Sequence, residues 1–318
     1  MSRIVYLNGK FVPLEQATVS VEDRGFLFGD GIYEVVRYYN SQPLGMAMHL
    51  DRLRQSLNQI RLPIALLDHV IGPANDADTG DPAALKPAHD ENGGGGGGAF
   101  EMISYELMRR NSLTDGCVYW QVTRGVAPRL HTFPSTATLP TVYASAEPSP
   151  PLQDEAAAPQ LRAITRPDAR WQHCQIKAVS LLANVLDAQT AAEADCHEAI
   201  LTRDGFVTEG TRRSILIVVG DQVLTYPLDG RILGSITRRI VLNEARQAGY
   251  TVQETRFSLE QLMEADEVIA VGSTTQVAAV IEVDDQPIAN GETGPTTADL
   301  FERYKQYVFK TCGKTTTG

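Results

Sequence analysis

The sequence predicts a mixed α+β fold in two domains, on three observations. Short runs rich in β-branched and aromatic residues are separated by Asn-Gly, Asp-Gly and Gly-Asp turns, the mark of antiparallel hairpins. Helical periodicity is confined to a few stretches between them, so the chain is not a repeating βαβ series. At 318 residues it is long enough for two ordinary cores.

Residues 4–12 read as a hairpin around Asn8-Gly9, and residues 31–39 as a strand. Residues 48–61 carry apolar side chains at helical spacing, with arginines on the other face. Composition then breaks. Residues 73–98 are rich in Asp, Ala, Pro and Gly and end in six consecutive glycines, 93–98. Such a stretch predicts a mobile insertion without a core of its own. A phosphate-cradling role for these glycines lacks the strand-turn-helix context and the adjoining Lys-Ser/Thr. An amphipathic helix follows at 99–110 and a strand at 116–123. Residues 128–134 form an irregular connection, where the two domains are expected to join. The predicted organisation is 1–128 for a small N-terminal domain, 129–135 for the connecting loop, 136–310 for a larger domain and 311–318 for a flexible tail.

In the second domain, strands are predicted at 141–145, 161–165, 197–202, 206–208, 214–219, 222–226, 267–271 and 277–283. Helices are predicted from Lys177 to about Ala194, over 235–249 with Gly249 just past the end, and over 259–265 and 296–307.

Hydrophobic content of 43% and charged content of 21% fit a soluble globular protein. A net charge of −11 argues against nucleic acid or anionic membranes as main partners, although a small basic pocket could hold an anionic ligand. No apolar run reaches the roughly 18 residues of a spanning helix. The N-terminus turns polar too soon for a signal peptide. Cys117, Cys174, Cys196 and Cys312 are scattered without metal-ligand spacing, so no metal and a reducing cytoplasm are expected.

Lys177 is the most informative residue. It lies in Ile176-Lys177-Ala178-Val179-Ser180-Leu181-Leu182, mostly apolar around one amine. Burial there would push a lysine toward its neutral, nucleophilic form. Taken alone, the segment reads better as a surface lysine with its stem on apolar surface and its head in water. Glu209, in Gly205-Phe206-Val207-Thr208-Glu209-Gly210, is by itself a carboxylate near a strand end. Arg129 and His131, two apart in a loop, would ordinarily be solvated. Ser235, in Leu233-Gly234-Ser235-Ile236-Thr237, suits the N-cap of the helix it opens, and that N-terminus suits a phosphate as well.

Taken together, four stretches resemble one family, the pyridoxal-phosphate aminotransferases that include D-amino-acid and branched-chain enzymes. They are 18–37 with the helix at 49–53, 119–134, 170–186 with 205–210, and 231–238 with 272–275. The resemblance covers nearly all of the chain except the insertion and the tail, and is greatest toward D-amino-acid aminotransferases. It implies the two-domain architecture called fold-type IV, a small α/β domain followed by a larger, mostly antiparallel sheet or pseudo-barrel. It implies pyridoxal 5'-phosphate as cofactor and Lys177 as the Schiff-base lysine. Glu209 would pair with the pyridine nitrogen and Leu233 would support the ring. Arg52, Ile236, Thr237, Ser273 and Thr274 would hold the phosphate or line the substrate side. Tyr33, Arg129 and His131 would face the substrate, the last two gripping its α-carboxylate.

The resemblance further implies a transaminase acting on amino acids of the D-alanine or D-glutamate type with 2-oxo acids, ping-pong kinetics, and a homodimer. Branched-chain L-amino-acid transaminases, (R)-amine transaminases and aminodeoxychorismate lyases share the fold, and the Arg129-x-His131 pair argues against them. A catalytically silent binding protein is opposed by the presence of both Lys177 and Glu209. One departure stands out. After Glu209-Gly210 many D-amino-acid aminotransferases run Ser-Ser-Ser-Asn, and here the chain runs Thr211-Arg212-Arg213-Ser214. Either arginine could place a cation near the pocket, or point away from it.

Overall fold

The computed structural model describes residues 2–71, 97–135 and 138–314. The insertion expected over 73–98 lies outside these residues, apart from 97 and 98, which open a helix. The chain divides into two compact units. The first comprises Met1–Pro151, Ile176–Ser180 and Cys312–Gly318; the second comprises Leu152–Gln175 and Leu181–Thr311.

The first unit contains β1 (Ile4–Leu7), β2 (Lys10–Pro13), α1 (Arg24–Phe28), β3 (Gly31–Tyr39), β4 (Gln42–Pro43), α2 (Met46–Gln59), α3 (Ala65–Ile71), α4 (Gly97–Arg110), β5 (Gly116–Thr123) and β6 (Thr141–Pro148). Among the described residues its strands form one six-stranded sheet in the order β2-β1-β6-β5-β3-β4, antiparallel throughout. Period-two alternation sends Ile32, Val36 and Tyr38 of β3, Val118, Trp120 and Val122 of β5, and Val142, Ala144 and Ala146 of β6 into a single core with Leu53, Leu57, Ile103 and Leu107 of the helices. The buried Trp120 indole satisfies its N–H on the Ser104 hydroxyl at 2.9 Å.

The boundary between the units falls after Pro151, later than the expected 129–135. The reason is β6. All eight of its residues pair with β5, and its inward side chains close the first core, so it cannot belong to the second unit. The expected tail also starts later, because the terminal helix runs on to a buried Cys312 whose carbonyl accepts from Asn40 Nδ2 at 3.3 Å.

The second unit contains β7 (Gln160–Pro167), α5 (Leu182–Glu193), β8 (Glu198–Arg203), β9 (Phe206–Gly210), β10 (Ser214–Val219), β11 (Gln222–Thr225), α6 (Ile236–Gln247), β12 (Thr251–Glu254), α7 (Leu259–Met263), β13 (Glu267–Gly272), β14 (Gln276–Val283), β15 (Gln286–Pro287) and α8 (Pro295–Cys312). Its strands run β12-β11-β10-β13-β14-β7-β8-β9, with β15 beside β14. Most neighbours are antiparallel; β11/β12, β14/β7 and β7/β8 are parallel.

This sheet has to curl. In a flat sheet β9 and β10 would lie five strand spacings apart, about 24 Å. Residues 211–213, the whole connection between them, reach at most about 15 Å. Curling brings β9 back toward β10, and the Gly210 N–H closes the turn on the Arg213 carbonyl at 2.7 Å. The result is a half-barrel, with Ile200, Val207, Ile215, Ile217, Val268, Ala270, Ala278 and Val280 inside. Among the described residues no helix is long and apolar enough to cross a membrane.

Leu57 is fully buried in the first core. Leu57→Ala should cost about 2–5 kcal/mol in a denaturant titration, the loss of buried methyl groups plus the cavity they leave.

Candidate active site

The lysine is placed by backbone. At its N-terminal end β3 pairs with β5 on one side only, and residues 177–179 take the other. Tyr33 N–H donates to the Lys177 carbonyl at 2.9 Å and Val179 N–H to the Gly31 carbonyl at 3.1 Å, with Ile32 facing Ala178 in antiparallel register. The segment is therefore extended. The helix expected from Lys177 begins five residues later, at Leu182, because the intervening amides and carbonyls are given to β3. The Lys177 N–H is further tied to Ser56 Oγ at 3.3 Å. Gly29 makes room for this: at φ +65° it is left-handed, and a Cβ there would lie 2.5 Å from Ser180 Oγ. Lys177 itself is half-buried, its Nζ 4.1 Å from the centre of the Tyr33 ring, a cation–π contact. Tyr33 in turn stacks on Tyr119 at 5.7 Å.

The next residue of β3 points to the opposite face. Glu34 accepts Nε and Nη2 of Arg52 at 2.7 and 2.8 Å and lies 2.8 Å from His49 Nδ1, all buried. Burial alone would raise the Glu34 carboxyl. The charge and hydrogen bonds of Arg52, with His49, outweigh it and hold the group down at about 2. Burial lowers His49 below the ordinary histidine range, so its ring is neutral at pH 7 and donates from Nδ1. Arg52 thus gives two of its donors to Glu34.

The carboxylate in the second unit is set differently. Arg170 lies between two buried acids. It gives Nε and Nη2 to Asp168, at 2.9 and 3.0 Å, and Nη1 to Glu209 at 2.5 Å. Asp168 also takes Arg203 Nη2 and Thr208 Oγ1, each at 3.0 Å. Glu209 receives the Leu233 N–H at 3.2 Å on Oε1 and 3.3 Å on Oε2. Its second oxygen has only that long bond among the described residues. Burial pushes the Glu209 carboxyl up, and Arg170 offsets only part of the rise.

Past Leu233 the chain enters α6. Ser235 is its N-cap, Oγ accepting the Arg238 N–H at 3.2 Å. The N–H groups of Ile236 and Thr237 and the Thr237 hydroxyl bond to nothing among the described residues. Donors left open at a helix N-terminus match an anion. Ser273 and Thr274 lie in the turn after β13, half-buried and exposed respectively.

The two unexpected arginines differ. Arg213 is spent: Nη1 meets Glu198 at 2.7 Å and Nε meets Thr275 Oγ1 at 2.6 Å. Glu198, fully buried, also accepts from the Thr211 amide at 2.8 Å and from the Thr211 hydroxyl. Arg212 is exposed. In the first unit, Arg129 and His131 are exposed on the loop after β5, at 5.3 and 5.5 Å from the Phe28 ring centre.

Residues 98–283 match the family model described as amino-transferase class IV, more than half of the chain. The chain belongs to this family. The aminotransferase is 33% identical to the D-alanine aminotransferase of Listeria monocytogenes serotype 1/2a (strain 10403S) over 311 residues, 98% of each chain. It is 31% identical to the D-alanine aminotransferase of Staphylococcus haemolyticus over 304 residues, 96% of this chain and 97% of the relative. Among solved structures, a T.th. branched-chain amino acid aminotransferase with pyridoxamine 5'-phosphate superposes with a TM-score of 0.78 at 24% identity, covering 99% and 96% of the two chains. The Escherichia coli branched-chain enzyme gives 0.75 at 21%, covering 100% and 97%. These two likenesses show the fold.

Class IV aminotransferases use pyridoxal 5'-phosphate, and the donor sets here fit it. There is a half-buried amine, a buried carboxylate with an oxygen to spare, and open N–H groups at a helix N-terminus. Within the first unit Lys177 is joined to Tyr33, and Arg129 to His131 through Phe28. Within the second, Glu209 is joined to Leu233. Sequence reading missed Glu34, His49, Asp168 and Arg170. Asp168-x-Arg170 stands seven residues before the lysine, and a charged pair so close to a strand end was the signal available.

Glu34 has a folded value below its unfolded one, so the stability it contributes is in place above the ordinary carboxylate range and is lost as pH falls toward about 2. Glu34→Gln takes the carboxylate from buried Arg52 and should cost about 3–5 kcal/mol at pH 7. It should also flatten the loss of stability below about pH 5, read from denaturant midpoints across pH.

Proposed function

We propose that this aminotransferase moves the amino group of D-alanine- or D-glutamate-type amino acids to a 2-oxo acid in two successive half-reactions. The observation that carries this reading is the Arg129–His131 pair. A guanidinium fork and an imidazole donor stand two residues apart against one aromatic ring, suited to an α-carboxylate. The likeness to D-alanine aminotransferases along nearly the whole chain supports the same choice.

Bound pyridoxal phosphate would supply an electrophilic carbon and a protonated ring able to take up the electron pair released at the substrate Cα. The protein's own residues do the rest. Lys177 Nζ binds that carbon and, once released, takes the proton from Cα and passes it on. Glu209, short of positive charge because Arg170 is shared with Asp168, holds a proton on the ring nitrogen. Leu233, whose amide meets Glu209, supports the ring. The Ile236 and Thr237 amides bind the phosphate, and Ser273, Thr274 and Arg52 are assigned to it by resemblance. Tyr33 orients the Lys177 amine through its ring. Arg213 braces the 272–275 turn through Thr275, and Thr211 fixes the start of that brace on Glu198.

The enzyme is further read as a cytoplasmic homodimer. Leu182, Val185 and Leu186 form an apolar stripe on α5, 59–71% exposed, and Val21 and Phe26 are 71% and 75% exposed, more apolar surface than a lone chain needs.

Lys177→Ala should lower transamination by about 10³-fold or more and abolish the visible band that borohydride removes from the wild type. A panel of D- and L-amino acids and (R)-amines with pyruvate and 2-oxoglutarate should show turnover with D-alanine and D-glutamate. Turnover confined to L-leucine-type donors would replace this reading with the branched-chain one. Arg129→Ala should raise KM for D-alanine by about 10–100-fold, the loss of a charge-assisted pair worth about 1.5–3 kcal/mol.

A further inference from the structure

The loop bearing Arg129 and His131 is exposed, and its backbone is tied down at its base, where Ala127 N–H donates to the Glu22 carbonyl at 3.3 Å. Near its crest, among the described residues, Leu130 N–H donates to the Pro128 carbonyl at 2.7 Å. Arg129, Leu130 and His131 are all exposed, Leu130 at 62%. Free long side chains on such a loop would sample many rotamers, and binding would have to order them.

A buried group reaches out to that crest. Arg24, 3% exposed, donates Nη1 to the carbonyl of Leu130 at 2.6 Å, the residue between the two proposed carboxylate donors. Arg24 is itself held. Its Nε meets Asp30 Oδ2 at 2.8 Å, and Asp30 is gripped a second time by Arg124 at 2.8 and 3.1 Å, where the loop leaves β5. The same guanidinium lies 4.8 Å from the Phe28 ring centre. That ring meets the Arg129 guanidinium at 5.3 Å and the His131 ring at 5.5 Å. Phe28 is thus a flat platform touching both donors, and Arg24 pins the peptide between them.

We infer that Arg24 and Phe28 are positioning residues for substrate-carboxylate recognition: a latch from α1 that fixes the loop so that Arg129 and His131 are presented together. The latch acts through the loop and touches neither the reacting atoms nor the cofactor. It rests on the reading of Arg129 and His131 given above. Pre-ordered donors bind a carboxylate without the cost of ordering them first. Loosening the latch therefore weakens carboxylate binding and leaves the proton transfers at Lys177 alone.

The test uses the holoenzyme and three variants, Phe28→Leu, Arg24→Lys and Arg129→Ala. Phe28→Leu keeps an apolar side chain and should fold even where the buried Arg24→Lys does not. Three readouts separate positioning from simple damage. These are KM and kcat for D-alanine, the affinity for propionate followed through the cofactor absorbance, and amide hydrogen exchange over residues 126–135. Phe28→Leu should raise KM and weaken propionate binding by about tenfold, leave kcat within about twofold, and speed exchange in the loop; Phe28→Tyr should restore all three. Unchanged propionate affinity in Phe28→Leu, with Arg129→Ala weakened, overturns the latch and leaves the carboxylate reading standing. Unchanged affinity in Arg129→Ala overturns that reading and the latch with it. A fall in kcat with no change in KM also overturns the latch.

Discussion

Two backbone hydrogen bonds decide where the lysine segment lies. The amides of Tyr33 and Val179, exchanged with the carbonyls of Lys177 and Gly31, hold the lysine segment as an added strand on β3. Because side chains alternate along β3, one strand then organises two environments. Tyr33 carries the amine on one face, and Glu34 gathers His49 and Arg52 on the other. A slip of one residue in this short register would send the Lys177 side chain to the opposite face. The left-handed Gly29 and the Ser56 hydroxyl guard the register, the first by leaving space beside Ser180 and the second by taking the Lys177 amide.

Two buried glutamates show how environment divides labour between identical groups. Glu34 has Arg52 on two edges and His49 beside it, and it is held deep in its charged form. Glu209 is equally buried, but its cation is divided. Arg170 turns two of its three nitrogens to Asp168 and spares one. Burial therefore dominates at Glu209 and raises its carboxyl. The first acid is satisfied and structural. The second remains short of positive charge, the condition under which a carboxylate attracts a cationic N–H.

Much of this was legible in the sequence, and the remainder was hidden for identifiable reasons. The hairpins, the helices around Leu53 and Ile240 and the mixed fold follow from periodicity and turn residues. Lys177 and Glu209 stood out because each sits in its own recognisable segment. Residues 177–180 misled because an apolar run beside a helix looks like more helix, and only a partner strand far away in sequence makes it extended. The domain boundary misled because β6 follows an irregular loop, and nothing local says which sheet it joins. Arg170, Asp168 and Phe28 did not stand out in the sequence because what distinguishes them is what they touch. Arg213 illustrates the converse: conspicuous by its position, it proves to be a brace on Glu198.

The route of the chain has a consequence for biosynthesis. The first unit draws its parts from three places: the N-terminal stretch, residues 176–180, and the C-terminal end from Cys312. A ribosome releasing the chain in order exposes the N-terminal half of β3 long before its covering segment emerges. Until then that strand is an unpaired edge flanked by Ile32, able to recruit a strand from another nascent chain. The pairing that positions the amine in the finished enzyme is thus also what closes this edge, and it closes it late.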